Sequence, residues 1–391
     1  MQKLSFCIYG ENTMSNPFFY GNEVSGEDFC DRTDELDELK KDAGAGLNVL
    51  LYAPRRLGKT SLLRKLQTQL EQSGQYTVVF FDFFSISSVD EFIQRYFNAV
   101  AQSFDTVPDK VLNFMKSVLK LRPNIIVTMG QSGELSYGLS ITKRERESTL
   151  EDVLNLPNLY AKAKKAKVVV IFDEFQEIEQ FDLEKKFRSV IQTHGRQVSY
   201  LFSGSKKSIL KRMFHDSSRA FYKSVKHMHI GDISLEEWIL FVQGKFERTG
   251  KKVGVKHIRE AFGITQGFPY YMQQLMFEVW NETAEVVDEA ILQNAVRVMC
   301  EREYDLYSYI WSDLTINQRK TLKYIIINDG KNLYANEQLG DAGLTASTLK
   351  STLDGLLKKD ICDRKNDRYY LVDPLMSYWV RHYMISEHSL P

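Results

Sequence analysis

The chain has 391 residues, 43% hydrophobic and 26% charged, a composition that excludes wholesale disorder and provides for two or three domains. Lys plus Arg and Asp plus Glu stand at 51 each, which excludes coating of nucleic acid or a membrane surface by bulk charge, although not by local patches. Cys7, Cys30, Cys300 and Cys362 lie far apart without CxxC spacing, no apolar run reaches about 18 residues, and 1–10 lacks the pattern of a leader, so a cytoplasmic protein without zinc or disulfides is expected.

Residues 1–28 carry Gly10, Asn12, Pro17, Gly21, Asn22 and Gly26 between aromatics and read as an extended arm packed across the next domain. Over 32–41, Leu36 and Leu39 have helical spacing, with Gly44 and Gly46 as the stop. The apolar strand 48–52 runs into Ala53-Pro-Arg-Arg-Leu-Gly-Lys-Thr60, and Leu62, Leu63, Leu66 and Leu70 then mark an amphipathic helix. A strand over 77–83 precedes Ser88 and Glu91, spaced as a capping box for a helix through Val100. Weak alternation around Gly130 and Gly133 predicts a hairpin over 124–142, and Ser148 with Glu151 predicts the cap of another helix.

The continuous apolar runs 167–172 and 198–202 predict parallel strands covered on both faces, hence an α/β fold. After Ile233 the pattern turns helical, over 235–248, 258–262, 270–283 and 288–303, which predicts a helical lid. Helices over 317–328, 336–341 and 345–359, followed by short strands around Lys365, Asn366 and Asp367, have the order of a winged helix. The expected division is an arm (1–28), a P-loop core (29–232), a lid (233–305) and a winged-helix-like domain (306–391).

The stretch from Ala53 to Thr60 matches G-x-x-x-x-G-K-[ST] except at its first glycine. Such a loop binds triphosphate by aiming the backbone N–H groups of Pro54-Arg55-Arg56-Leu57-Gly58-Lys59-Thr60-Ser61 at phosphate wherever an N–H exists. Gly58 permits close approach, Lys59 supplies charge, and the Thr60 hydroxyl faces Mg²⁺. Ala53 is acceptable if that position has an ordinary strand-end conformation, which Pro54 favours. Asp173 and Glu174 end an apolar strand, where an aspartate can hold Mg²⁺ and the next glutamate can polarise the attacking water. Taken alone, an Asp-Glu pair at a strand end is more often a solvated charge pair; the loop lysine tips the reading towards catalysis. Ser203 and Ser205 are both candidates to sense the γ-phosphate, and a serine-glycine turn is also an ordinary strand terminator. Arg55, Arg56, Arg196 and Arg219 are candidate phosphate arginines, none of them assigned.

Together, Phe29-Cys-Asp-Arg32 with Glu35-Leu36, the loop Pro-Arg-Arg-Leu-Gly-Lys-Thr, Asp173-Glu-Phe-Gln176 and Phe202-Ser-Gly-Ser205 resemble the archaeal and bacterial ATPases of the STAND and AAA+ group. Gly267-Phe-Pro269 is similar to the lid element whose proline borders the adenine, so the resemblance spans most of the chain. It implies an ATP-driven switch, with nucleotide held between sheet and lid, Phe29 and Arg32 near the adenine, and ATP with Mg²⁺ as cofactors. Ala53 and Ser205 depart from the group's commoner residues.

In a DNA-reading winged helix, 345–359 would be the recognition helix, with Ser347 and Lys350 towards the bases and Arg364, Lys365 and Arg368 on the wing. Residues 306–391 hold 11 Lys plus Arg against 10 Asp plus Glu, a poor phosphate footprint, so docking to protein or self-association stands beside DNA contact. The leading expectation is a nucleotide-dependent switch. Its rivals are a DNA-loading ATPase of the origin-recognition or clamp-loader type and a regulator that holds nucleotide without turnover.

Overall fold

The structure, a computed structural model, describes residues 15–24, 26–104, 108–119, 124–130, 135–140, 142–205, 207–365 and 367–385. The readings placed on 1–10, Cys7, Gly10, Asn12, Gly133 and Asn366 lie outside the described residues. The chain divides into two compact units, one Asp31–Asp232 and the other Met1–Cys30 with Ile233–Pro391.

In the first unit the described strands are β1 (Val49–Tyr52), β2 (Tyr76–Asp82), β3 (Asn124–Met129), β4 (Leu135–Ser140), β5 (Lys167–Asp173), β6 (Val198–Gly204) and β7 (Lys226–His229). Five form one sheet in the order β2-β5-β6-β1-β7, every neighbouring pair parallel. β5 is buried from Val168 onward and β6 throughout, as their unbroken apolar runs require. Register sets Asp82 beside Asp173 and Tyr52 beside Gly204, so β1, β2, β5 and β6 end along a common edge. β7 was not anticipated: in Lys-His-Met-His only Met228 is buried, which suits an edge strand and leaves no apolar run to read.

Helix Thr33–Ala45 contains Gly44 and stops at Gly46, which corrects the expectation that both glycines end it. Gly46 has φ 72°, donates its N–H to Ala43 O at 3.1 Å, and lies so close to the Arg196 backbone that a Cβ would overlap it. Ser88 Oγ accepts the Glu91 N–H at 3.1 Å at the start of helix Val89–Phe104, but the Glu91 carboxylate turns to Ser87 N at 2.8 Å, so half of the expected box forms. Ser148 is not a cap: helix Arg146–Lys164 begins earlier, and the Ser148 hydroxyl donates to Glu145 O at 3.0 Å. Helix Pro108–Val118 is an element the sequence reading did not place.

The hairpin β3–β4 is antiparallel, with Ile126 opposite Gly138. Gln94 and Asn98 of helix Val89–Phe104 bind its backbone, accepting the Leu139 N–H at 2.8 Å and the Tyr137 N–H at 2.7 Å. The sheet core is aromatic, with Phe83, Phe92, Tyr96, Phe172, Phe175 and Phe187 fully buried. Phe175 packs on Phe202 at 4.5 Å between centroids and so anchors the turn that leaves β5.

The second unit opens with helices Leu235–Arg248, Val255–Thr265, Pro269–Glu282 and Glu289–Arg302. Ser234 and Glu237 form a complete capping box on the first of them. The described arm residues pack within this unit. Asn16 donates to Phe277 O at 2.9 Å, Phe18 meets Phe246 at 5.5 Å, and the Lys245 ammonium binds Asp28 at 2.6 Å. Helices Tyr304–Asp313, Ile316–Ile327, Asn336–Asp341 and Ala346–Lys358 precede β8 (Cys362–Lys365) and β9 (Arg368–Leu371), an antiparallel wing, and the chain closes through Pro374–Trp379 and Val380–Ile385. Trp379 is fully buried, as its expected packing role requires. Among the described residues no helix is long and apolar enough to cross a membrane.

Candidate nucleotide site

β1 delivers the loop 53–58 to the common strand edge, and helix Lys59–Gln72 follows at once, its start fixed by Gly58 with φ 79°. Only glycine adopts that conformation readily. Ala53 does not have a left-handed backbone, so its Cβ meets no penalty there, whereas Arg56 takes φ 65° and carries the strained position of the loop. Arg55 and Arg56 are exposed, while Leu57 and Ser61 are buried and anchor the loop.

Lys59 is buried, and its amine donates to Ala53 O and Pro54 O, both at 2.9 Å. Burial lowers the amine to about 8, opposed by the nearby charges of Glu174 and Asp173 and reinforced by Arg55. Thr60 Oγ1 donates to Asp173 Oδ2 at 2.7 Å, across a sequence separation of 113. The other Asp173 oxygen accepts the Glu174 N–H at 3.0 Å.

Glu174 has φ 48°, a left-handed turn that swings its side chain out of strand direction. Its Oε2 accepts the Ser205 hydroxyl at 3.1 Å and the Gln176 side-chain N–H. Ser203 differs: it is fully buried inside β6, and its Oγ has no hydrogen-bond partner. The two serines therefore stand in different surroundings, with Ser205 on the acid and Ser203 sealed against Leu51 in register.

Arg32 is buried with φ 82°, and its guanidinium donates to Glu35 at 2.8 Å, Gly231 O at 2.6 Å and Leu57 O at 3.4 Å. Three bonds from the guanidinium thus go to protein oxygen, one of them in the phosphate loop. Phe29 and Pro269 belong to the other unit, where Pro269 opens helix Pro269–Glu282 just after Gly267, whose φ is 71°. Arg196 precedes β6 and so stands at the strand edge opposite the loop, and Arg219 is held by Glu179 at 3.1 Å and by Glu184.

Two further residues belong to the site. Asp82 ends β2 beside Asp173, and partial burial, then the charges of Asp173 and Glu174, push its carboxyl up, against a lowering bond from Phe84 N–H. Its signal was available, since it closes an apolar strand just as Asp173 does. Gln176 stands in the motif Asp173-Glu-Phe-Gln176, and nothing in its spacing shows the contact with Glu174.

A parallel sheet in this order, a glycine-hinged loop opening a helix with a buried lysine, and a strand-end acid bonded to the loop threonine define a P-loop nucleoside-triphosphatase fold, here joined to a winged-helix domain. The chain belongs to the family described as "ATPase domain predominantly from Archaea", which matches residues 29–275. A second family, "probable winged helix domain", matches residues 305–382.

Among solved structures, the Walker-type ATPase of Pyrococcus abyssi is similar at 15% identity and a TM-score of 0.64, covering 93% of this chain and 99% of that one. The ORC2 protein of Aeropyrum pernix, solved as ADPNP–ADP complexes, is similar at 13% identity and a TM-score of 0.52, covering 91% of this chain and 95% of that one. At such identities the likeness is one of fold. No curated protein matches the chain.

Proposed function

We propose that the chain binds Mg-ATP at the loop 53–61, hydrolyses it slowly, and uses the nucleotide state to change its contacts with a protein partner or another copy of itself. The bond from Thr60 to Asp173 at 2.7 Å carries this reading, because it brings the loop hydroxyl and the strand-end carboxylate to one point. Both are hard oxygen donors of the kind Mg²⁺ prefers, and the buried Lys59 cation beside them suits phosphate, so the donor set fits the magnesium–triphosphate pair. Bound there, Mg²⁺ would neutralise charge developing on the phosphate oxygens.

The protein's own residues divide the remaining work. Lys59 binds phosphate oxygen, and the backbone N–H groups of Arg55, Arg56, Leu57, Gly58, Lys59, Thr60 and Ser61 cradle it. Glu174 accepts a proton from the attacking water as the new oxygen–phosphorus bond forms, and ADP leaves with the electron pair of the broken bond. Ser205 sits on that carboxylate, which supports it over Ser203 as the γ-phosphate sensor. Phe29, Arg32 and Pro269 are assigned to the adenine side through the resemblance to the STAND and AAA+ group.

The functional division remains arm 1–28, core 29–232, lid 233–305 and winged helix 306–391. A reducing, cytoplasmic setting belongs to the same reading, supported by the free, buried thiols Cys300 and Cys362. A second reading, a DNA-loading ATPase of the origin-recognition type, draws on the fold likeness to ORC2, which extends over 91% of this chain.

The test is nucleotide binding and ATP turnover of the parent, Lys59→Ala and Glu174→Gln. Lys59→Ala is expected to weaken binding by roughly 10- to 100-fold, the worth of hydrogen bonds to a charged group. Glu174→Gln is expected to bind ATP as the parent does and to lose about 10²–10⁴ in turnover. Parental turnover in Glu174→Gln would remove that residue from the mechanism.

A further inference from the structure

We infer that Gln176 is the positioning residue for the Glu174 carboxylate, and that Gly204 lacks a side chain because the Gln176 amide occupies that space. The inference rests on the reading of Glu174 as the base.

Gln176 lies in the turn Phe175–Phe181 that leaves β5 and is 2% exposed. Its amide nitrogen donates to Glu174 Oε2 and lies 3.4 Å from Glu177 Oε1. Its amide oxygen is sealed from water with no hydrogen-bond partner. Turning the amide over would set that oxygen against two carboxylates, so the observed orientation is the one that electrostatics favours. The position still leaves a buried acceptor unpaired, a cost an apolar side chain of the same length would avoid. Packing alone gives no reason to keep an amide there; a fixed donor to Glu174 does.

The second observation comes from β6. A Cβ built on Gly204 would overlap the Gln176 Oε1 and would meet Leu210 Cδ1 at 2.9 Å. Gly204 is not left-handed, so backbone freedom is not what the position requires. What it requires is close approach, and the atom that approaches is the far end of the Gln176 amide. An alanine there moves that amide at small steric cost and spoils its aim. The neighbouring Ser205 hydroxyl reaches the same Glu174 oxygen at 3.1 Å, so one carboxylate oxygen is fixed by two donors from two different strand ends. That arrangement leaves the other carboxylate oxygen to face the attacking water.

The experiment uses the full chain and measures steady-state ATP turnover, equilibrium binding of a fluorescent ATP analogue, and thermal melting for Gln176→Leu, Gly204→Ala, the double variant and Glu174→Gln. Gln176→Leu and Gly204→Ala are each expected to lower kcat about 10- to 100-fold, the scale of an ångström-sized misplacement, with analogue Kd within about twofold of the parent. The double variant is expected to be no slower than Gln176→Leu, because the two changes remove the same contact. Adding Gln176→Leu to Glu174→Gln is expected to change nothing further.

Parental kcat in both single variants, with Glu174→Gln inactive, overturns the inference and leaves the function intact. Additive losses in the double variant also overturn it, as does a loss of analogue binding or a collapse in melting that matches the loss of kcat, since each indicates a merely structural role. Parental turnover in Glu174→Gln instead defeats the underlying assignment of the base.

Discussion

The Thr60 hydroxyl donates to the Asp173 carboxylate at 2.7 Å, joining the first residues of a helix to the last residue of the neighbouring motif's strand. Asp173 is buried, so the hydroxyl both satisfies a carboxylate oxygen and stands where a divalent cation would find two oxygen donors. Thr60→Val keeps the shape and removes the donor. It is expected to cost about 1–3 kcal/mol in stability and to abolish the gain in ATP affinity on adding Mg²⁺. Thr60→Ser is expected to keep that gain. Calorimetric titration with and without Mg²⁺ measures both, and a Val variant that still responds to Mg²⁺ shows that Thr60 is not a ligand.

Lys59 supplies a pH dependence with a definite sign. Burial lowers its amine to about 8 in the free chain, and phosphate beside it favours the charged form, so the complex holds the proton more tightly. Binding above pH 8 therefore takes up a proton, and affinity falls as pH rises through that value, by up to about tenfold per unit. Below it the affinity is flat on this account. ATP titrations from pH 7 to 9.5 are expected to show the fall for the parent, and none for Lys59→Arg, whose guanidinium keeps its charge. A level profile in the parent would mean that the amine is not what meets the phosphates.

How far the sequence reached is best seen at individual residues. β5 and β6 were legible because burial on both faces demands continuous apolar residues, and 168–172 and 198–202 supply them. β7 was illegible because its position at the sheet edge lets histidine and lysine stand there. Lys59, Thr60 and Asp173 were readable as types in a known order, whereas the Gln176 contact depends on a turn and on the missing side chain of Gly204, neither of which spacing encodes. Ala53 looked like a defect in the motif; the backbone places the left-handed strain on Arg56 and Gly58 instead.

Gly330 ties the wing to the helix before it. Its φ is 68°, its N–H donates to Ile325 O at 2.8 Å, and its carbonyl accepts Tyr369 N–H at 3.0 Å, while a Cβ would overlap the Tyr369 carbonyl. Backbone atoms cannot step aside as a side chain can. Gly330→Ala is expected to destabilise the winged-helix domain by roughly 2–4 kcal/mol, from left-handed strain plus overpacking. Gly340→Ala, with open space at its Cβ and no positive φ, is expected to be neutral or slightly stabilising. Chemical denaturation followed by the fluorescence of Trp311 and Trp379 distinguishes them; equal stability of the two variants would contradict the contact at Tyr369.

The wing decides between the switch and the DNA-loading reading. Arg364 is paired with Asp367, the Arg368 guanidinium donates to Asp329 O at 2.7 Å, and Arg381 donates to Ile326 O at 2.9 Å with Asp329 at 3.9 Å. Cations already engaged by a carboxylate or by backbone carbonyls release few counterions on meeting phosphate, so any duplex binding should depend weakly on salt. The expected slope of log affinity against log salt is smaller in magnitude than about 2, unchanged by ATP. Asp367→Asn should steepen it by no more than about one, since it frees a single arginine. Fluorescence anisotropy with a labelled duplex, across salt and with or without ATP, gives the slope directly. A slope steeper than about 4 that appears only with ATP would turn the assignment towards DNA loading, because the nucleotide would then be exposing phosphate contacts that the resting wing keeps paired.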